Sequence, residues 1–127
     1  AGEMRSVGGD LDSIMAGLSC GVPSTVAWEI LQKTADAVVA CDDPVSARGM
    51  RMLASPPEGD ERVISGESGA VGVGLVAELM REEAHASLRE ALGLDGSSRV
   101  LCISTEGDTD PEHYRQIVWE GAYPSIG

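Results

Sequence analysis

Apolar positions along the chain alternate between helical spacing and short unbroken runs. From Ser24 to Thr34, Val26, Ile30 and Leu31 share one face and Glu29, Gln32 and Lys33 the other. That pattern predicts an amphipathic helix, with Ser24 or Thr25 as its cap. Asp43 is expected to cap a second helix, with Pro44 at its first position, running through Met50 and Leu53 to about Ser55. A long helix is expected over about 69–81 and another over about 83–92, ended by Gly93, a favourable C-terminal cap. Pro111 starts a last helix that reaches about Trp119, with Glu112 suited to its positive end.

Three short apolar runs lie between these helices: Ala37 to Cys41, Arg62 to Ser65 and Arg99 to Ser104. Each is bounded by charge or turn residues, as buried strands are. Leu11 to Leu18 reads as a strand end or short helix entering a loop. The resulting order of strand, helix, strand, helices, strand, helix predicts an α/β fold, a mostly parallel sheet with flanking helices. No internal repeat or low-complexity tract interrupts it.

Composition narrows the picture. The chain has 127 residues, 43% of them hydrophobic, which suits one globular domain with a core. Aromatic residues are 3% and Phe is absent, so that core is aliphatic. A net charge of −12 argues against nucleic acid and anionic membrane surfaces, both of which need basic residues. No apolar stretch approaches a membrane span, and Ala1 to Asp12 lacks the apolar segment of a signal peptide. Cys20, Cys41 and Cys102 are too scattered for a disulfide framework and fit a reducing compartment. A cytoplasmic protein is expected.

In an open parallel sheet, ligands bind beyond the carboxyl ends of the strands. Those ends lead here into Asp42-Asp43, Ser65 to Gly69 and Ser104 to Asp110. The last two combine glycine, hydroxyls and carboxylates ahead of a helix N-terminus, where free N–H groups can donate to a ligand. Helix capping alone accounts equally well for either loop. The Gly69, Gly72, Gly74 and Ala77 stripe suits close helix-to-sheet packing.

Standard site motifs fail. Leu75 and Val76 stand where a P-loop needs Lys and Ser or Thr. Gly66 to Gly69 is one residue short of a nucleophile elbow. No Cys or His pair has zinc spacing, so no metal site is expected. His85 is expected at the surface, and His113 is a weak site candidate on a solvated helix.

Four segments together resemble diaminopropionate ammonia-lyase: Ile14-Met15-Ala16-Gly17-Leu18-Ser19-Cys20-Gly21, Arg48-Gly49-Met50-Arg51-Met52-Leu53, Val63-Ile64-Ser65-Gly66-Glu67-Ser68-Gly69-Ala70 and Ser104-Thr105-Glu106-Gly107-Asp108-Thr109-Asp110. That family belongs to the pyridoxal-phosphate enzymes of the tryptophan synthase β type. The resemblance implies that residues 1–127 are a single C-terminal fragment of a larger two-domain, usually dimeric enzyme. The implied reaction is α,β-elimination from 2,3-diaminopropionate, giving pyruvate and ammonia. It also implies cofactor-contacting positions: Ser104 or its neighbour Thr105 opposite the pyridine nitrogen, and Gly66 and Glu67 in the turn beside the ring.

The resemblance has a gap. Such enzymes need a lysine for the Schiff base, and the single lysine, Lys33, lies on the polar side of the first predicted helix. The family's lysine and main phosphate-binding glycine loop have no match in this chain. No catalytic residue is therefore assigned, and the chain alone is expected to be inactive and to hold no cofactor. A related lyase such as threonine dehydratase, and a free-standing small-molecule-binding or assembly module, are the alternatives.

Overall fold

The computed structural model describes residues 3–125. Its helices are α1 Thr25–Thr34, α2 Asp43–Ala54, α3 Glu67–Arg81, α4 Ala86–Ala91 and α5 Pro111–Val118, with 3-10 turns at Ala16–Leu18 and Glu83–His85. Local signals set several of their ends. The Ser24 hydroxyl accepts from the Ala27 amide at 3.3 Å and caps α1. Asp110 Oδ1 accepts from the His113 amide at 3.0 Å and caps α5. Gly93 takes φ +65 just after α4, a conformation that costs a glycine little.

Other boundaries move. Asp42, not Asp43, is the N-cap of α2. Asp43 Oδ1 instead accepts from the Ser13 hydroxyl at 2.7 Å and the Ile14 amide at 3.2 Å, tying the N-terminal segment to α2. The helix expected over 69–81 starts at Glu67, inside the anticipated turn. The one expected over 83–92 is a 3-10 turn followed by the short α4.

The expectation of a mostly parallel sheet is not met: among the described residues there is no strand. The three apolar runs adopt no regular secondary structure, and no ladder joins them among the described residues. Near them, Val63 N–H donates to the Leu53 carbonyl at 3.0 Å, and Gly66 N–H to the Glu106 carbonyl at 3.0 Å. The side chains show why a valine- and isoleucine-rich run did not suffice. Val38 is 92% exposed, Leu101 85% and Ile103 72%. Strand preference is mostly a fit to a pleated, half-buried surface, and here no second surface covers these residues.

The core is instead helical. Ala47 and Met50 of α2, Ala70 of α3, and Tyr114 and Ile117 of α5 form it, with Ile14, Leu53 and Ala122 packed at its edge. Helices α2 and α3 approach until their backbones touch. A Cβ on Gly49 would overlap the Ala70 carbonyl, and one on Gly74 would overlap the Val45 carbonyl. Within the expected glycine stripe, Gly74 serves helix-on-helix packing, while Gly69 faces the Ser65 and Ser104 hydroxyls and Gly72 faces Cys102. The helix-to-sheet contact expected of the stripe is not formed, because among the described residues no strand lies against it. α5 closes the pair, and Arg51 of α2 staples its far end by donating to the Ile117 carbonyl at 3.0 Å and to the Ala122 carbonyl. Burial lowers the Arg51 pKa, but a guanidinium stays charged in proteins. No helix is long and apolar enough to cross a membrane among the described residues.

Candidate functional site

The start of α3 and the loop before α5 meet in one corner. Ser65, fully buried, shares a 2.7 Å hydrogen bond with the Ser104 hydroxyl. Gly69 makes room for this pair: a Cβ there would lie 2.7 Å from Ser65 Oγ and 2.9 Å from Ser104 Oγ. A second bridge comes from Glu106, whose Oε2 accepts from the Ser68 amide at 2.7 Å and the Gly69 amide at 3.4 Å. A carboxylate there satisfies free N–H groups and the positive end of the helix together. Glu106 thus caps α3 from a loop 38 residues away in sequence.

A third bridge joins Glu67 on the first turn of α3 to His113 on the first turn of α5, with Oε1 and Nδ1 2.8 Å apart. The Glu67 carbonyl also accepts from the buried Ser46 hydroxyl of α2. His113 in turn meets the Tyr123 ring edge-on, with centroids 6.0 Å apart and planes at 82°.

The candidate residues separate accordingly. Ser104 sits in the corner and is held by Ser65. Thr105 is its exposed neighbour. Gly66 is buried there, and a Cβ on it would overlap the Gly107 carbonyl, so loop contact alone requires a glycine. Glu67 turns its carboxylate to His113. Of the four resembling segments, Val63–Ala70 and Ser104–Asp110 form the corner. Ile14–Gly21 reaches it through Gly17, where a Cβ would lie 3.0 Å from Ser68 Oγ. Arg48–Leu53 supports α3 from behind through Gly49.

Ser65 and Glu106 are not individually marked by the sequence, and Gly69 is marked only as part of a packing stripe, although all three lie within the resembling segments. Nothing local to His113 announces its partner 46 positions away. Beside the corner, a mostly apolar cleft of about 390 Å³ runs between Met15, Leu18, Val39, Cys41, Val71 and Leu75 and contains none of the candidate residues. Burial, and then the nearby Glu78 and Asp42, raise the pKa of the Cys41 thiol, which disfavours the reactive thiolate. Among the described residues no cluster of three or more His, Cys, Asp or Glu is arranged to hold a metal ion.

No protein-family model matches the chain. Over 122 residues, 96% of its length, it is 51% identical to diaminopropionate ammonia-lyase of Escherichia coli strain K12. It is 48% identical over 121 residues to the enzyme of the same name from Salmonella typhimurium strain LT2. The chain spans about a third of these relatives, 31% of the first and 30% of the second. Its backbone superposes with a TM-score of 0.83 on the Escherichia coli enzyme in complex with an aminoacrylate–PLP azomethine reaction intermediate, at 51% identity, covering 87% of this chain and 29% of that one. With the D-serine complex of the enzyme the TM-score is 0.80 at 50% identity, covering 85% of this chain and 28% of that one. Nearly the whole chain is therefore similar to one part of diaminopropionate ammonia-lyase.

Proposed function

We propose that this chain is the C-terminal portion of a larger, two-domain, pyridoxal-phosphate-dependent diaminopropionate ammonia-lyase, which converts 2,3-diaminopropionate to pyruvate and ammonia. The carrying observation is 51% identity across 96% of the chain, with the resembling segments gathered around one corner. The solved relatives, named with a PLP intermediate and with D-serine, support the cofactor and an amino-acid substrate. The complete protein is a cytoplasmic homodimer or other oligomer.

The residues present fit one end of the cofactor. When bound, pyridoxal phosphate supplies the electron sink for elimination. Ser104 offers the pyridine nitrogen a hydroxyl that donates or accepts, so ring protonation is not forced as a carboxylate would force it. Ser65 orients that hydroxyl, and Gly69 keeps the pair intact. Thr105 is the alternative hydroxyl, Gly66 lets the two loops close on each other, and Glu67 holds negative charge beside the ring. The other end finds no fit. Lys33 lies on α1, which buries no residue and touches no other helix. The chain supplies a wall of the site and not its covalent anchor.

Expression of the complete reading frame that carries this chain tests the proposal. The expected product binds pyridoxal phosphate and releases pyruvate and ammonia from 2,3-diaminopropionate, and Ser104→Asp shifts its absorption band and slows it. The 127-residue chain mixed with the cofactor and trapped with borohydride is expected to give no stoichiometric adduct. A reading frame no longer than this chain, a full product that ignores diaminopropionate, or fast stoichiometric labelling of Lys33 would each count against it.

A further inference from the structure

The Glu67–His113 pair has no capping duty to explain it. Glu106 already caps α3, and Asp110 already caps α5. Yet the Glu67 side chain is only 12% exposed and that of His113 28%. A carboxylate so enclosed is costly unless a donor meets it, and His113 is the ionic partner it meets. The imidazole is constrained from its other side as well. Tyr123 stands edge-on to it, and the Tyr123 carbonyl accepts from the Arg51 guanidinium. A histidine that donates Nδ1–H to a carboxylate has its tautomer and ring orientation set by that bond.

We propose that Glu67 and His113 form an orienting dyad for the reaction proposed above, with His113 as the positioning residue. His113 holds the Glu67 carboxylate in place and locks the first turn of α3 to the helix that follows the Ser104 loop. Ser65 directly precedes the start of α3 and Ser104 lies in the loop leading to α5, so the dyad ties together the two elements that carry the Ser65–Ser104 hydroxyl pair. The dyad's purpose rests on the lyase reading; its geometry does not.

Two measurements test it. In the 127-residue chain at alkaline pH, long-range ¹H–¹⁵N spectra resolve the two histidines, and His113 is expected as the Nδ1–H tautomer. The Nε2–H tautomer would overturn the dyad. In the full-length protein, His113→Leu is expected to lower kcat about tenfold or more with KM little changed, as loss of orientation does. His113→Asn places an amide donor near the position of Nδ1 and is expected to recover most of that loss. His113→Leu with undiminished kcat, or an equal loss in both variants, would overturn the proposal. If His113→Leu does not fold, Glu67→Gln carries the test, because it keeps the shape and removes the charge; unchanged kcat there overturns the dyad too. Wild-type protein without turnover removes the lyase reading and the dyad's purpose with it. Active wild type with unaffected variants removes the dyad alone.

Discussion

Helices α1 and α3 both carry aliphatic stripes, and only one of them is buried. On α1, Val26, Ile30 and Leu31 are 68%, 57% and 54% exposed, whereas on α3 Ala70 and Leu79 are 0% and 2% exposed. Side-chain type alone does not separate them, because Leu31 on α1 is 54% exposed and Leu79 on α3 only 2%. The difference is backbone approach. α3 has Gly74 against the Val45 carbonyl, and α2 has Gly49 against the Ala70 carbonyl, so two helices share one surface. α1 offers no glycine along its length and touches no other helix. An aliphatic stripe predicts a helix; close packing of small residues decides what that helix lies against.

Substitutions can break this contrast, beginning with its deepest element. Ile117→Ala empties a site with no exposure and is expected to cost about 2–5 kcal/mol by urea denaturation. Gly74→Ala drives a methyl into the Val45 carbonyl and is expected to cost about 1–3 kcal/mol. Its control is two residues away: a Cβ on Gly72 would meet only Cys102, at 3.7 Å from Sγ. Gly72→Ala is therefore expected to be neutral or to stabilise α3 by up to about 1 kcal/mol, the helix-propensity gain. Equal losses at 72 and 74 would mean that backbone approach is not what holds α3. The smallest effect belongs to α1, where Val26→Ser is expected to stay within about 0.5 kcal/mol. A loss at Val26 as large as that at Ile117 would show that α1 is packed after all.

The two glutamates of the corner repeat the contrast at the scale of single residues. Glu67 is singled out in the sequence by the family resemblance, which implies a place beside the cofactor ring. Glu106 is not singled out individually, yet it caps the helix to which Glu67 belongs. Position in a motif does not reveal what a carboxylate touches. Glu67 reaches forward to His113, and Glu106 reaches back to Ser68 and Gly69, each across a long stretch of chain.

Five helical segments, the Ser24 cap, the Pro111 start and the Gly93 stop were legible from residue order, because a helix bonds each residue to one four positions away and its caps act within a turn. So was the likeness of four segments to one enzyme family, since motif identity is itself a property of order. The absence of a sheet among the described residues was not legible. An apolar run states only that a residue prefers burial, while a strand exists only when a neighbour completes its hydrogen bonds. Of the corner, Ser104 and Gly66 were named through the family resemblance. Their partners Ser65, Gly69, Glu106 and His113 were assigned by the tertiary structure alone, because those contacts join residues that only the packing of α2, α3 and α5 brings together.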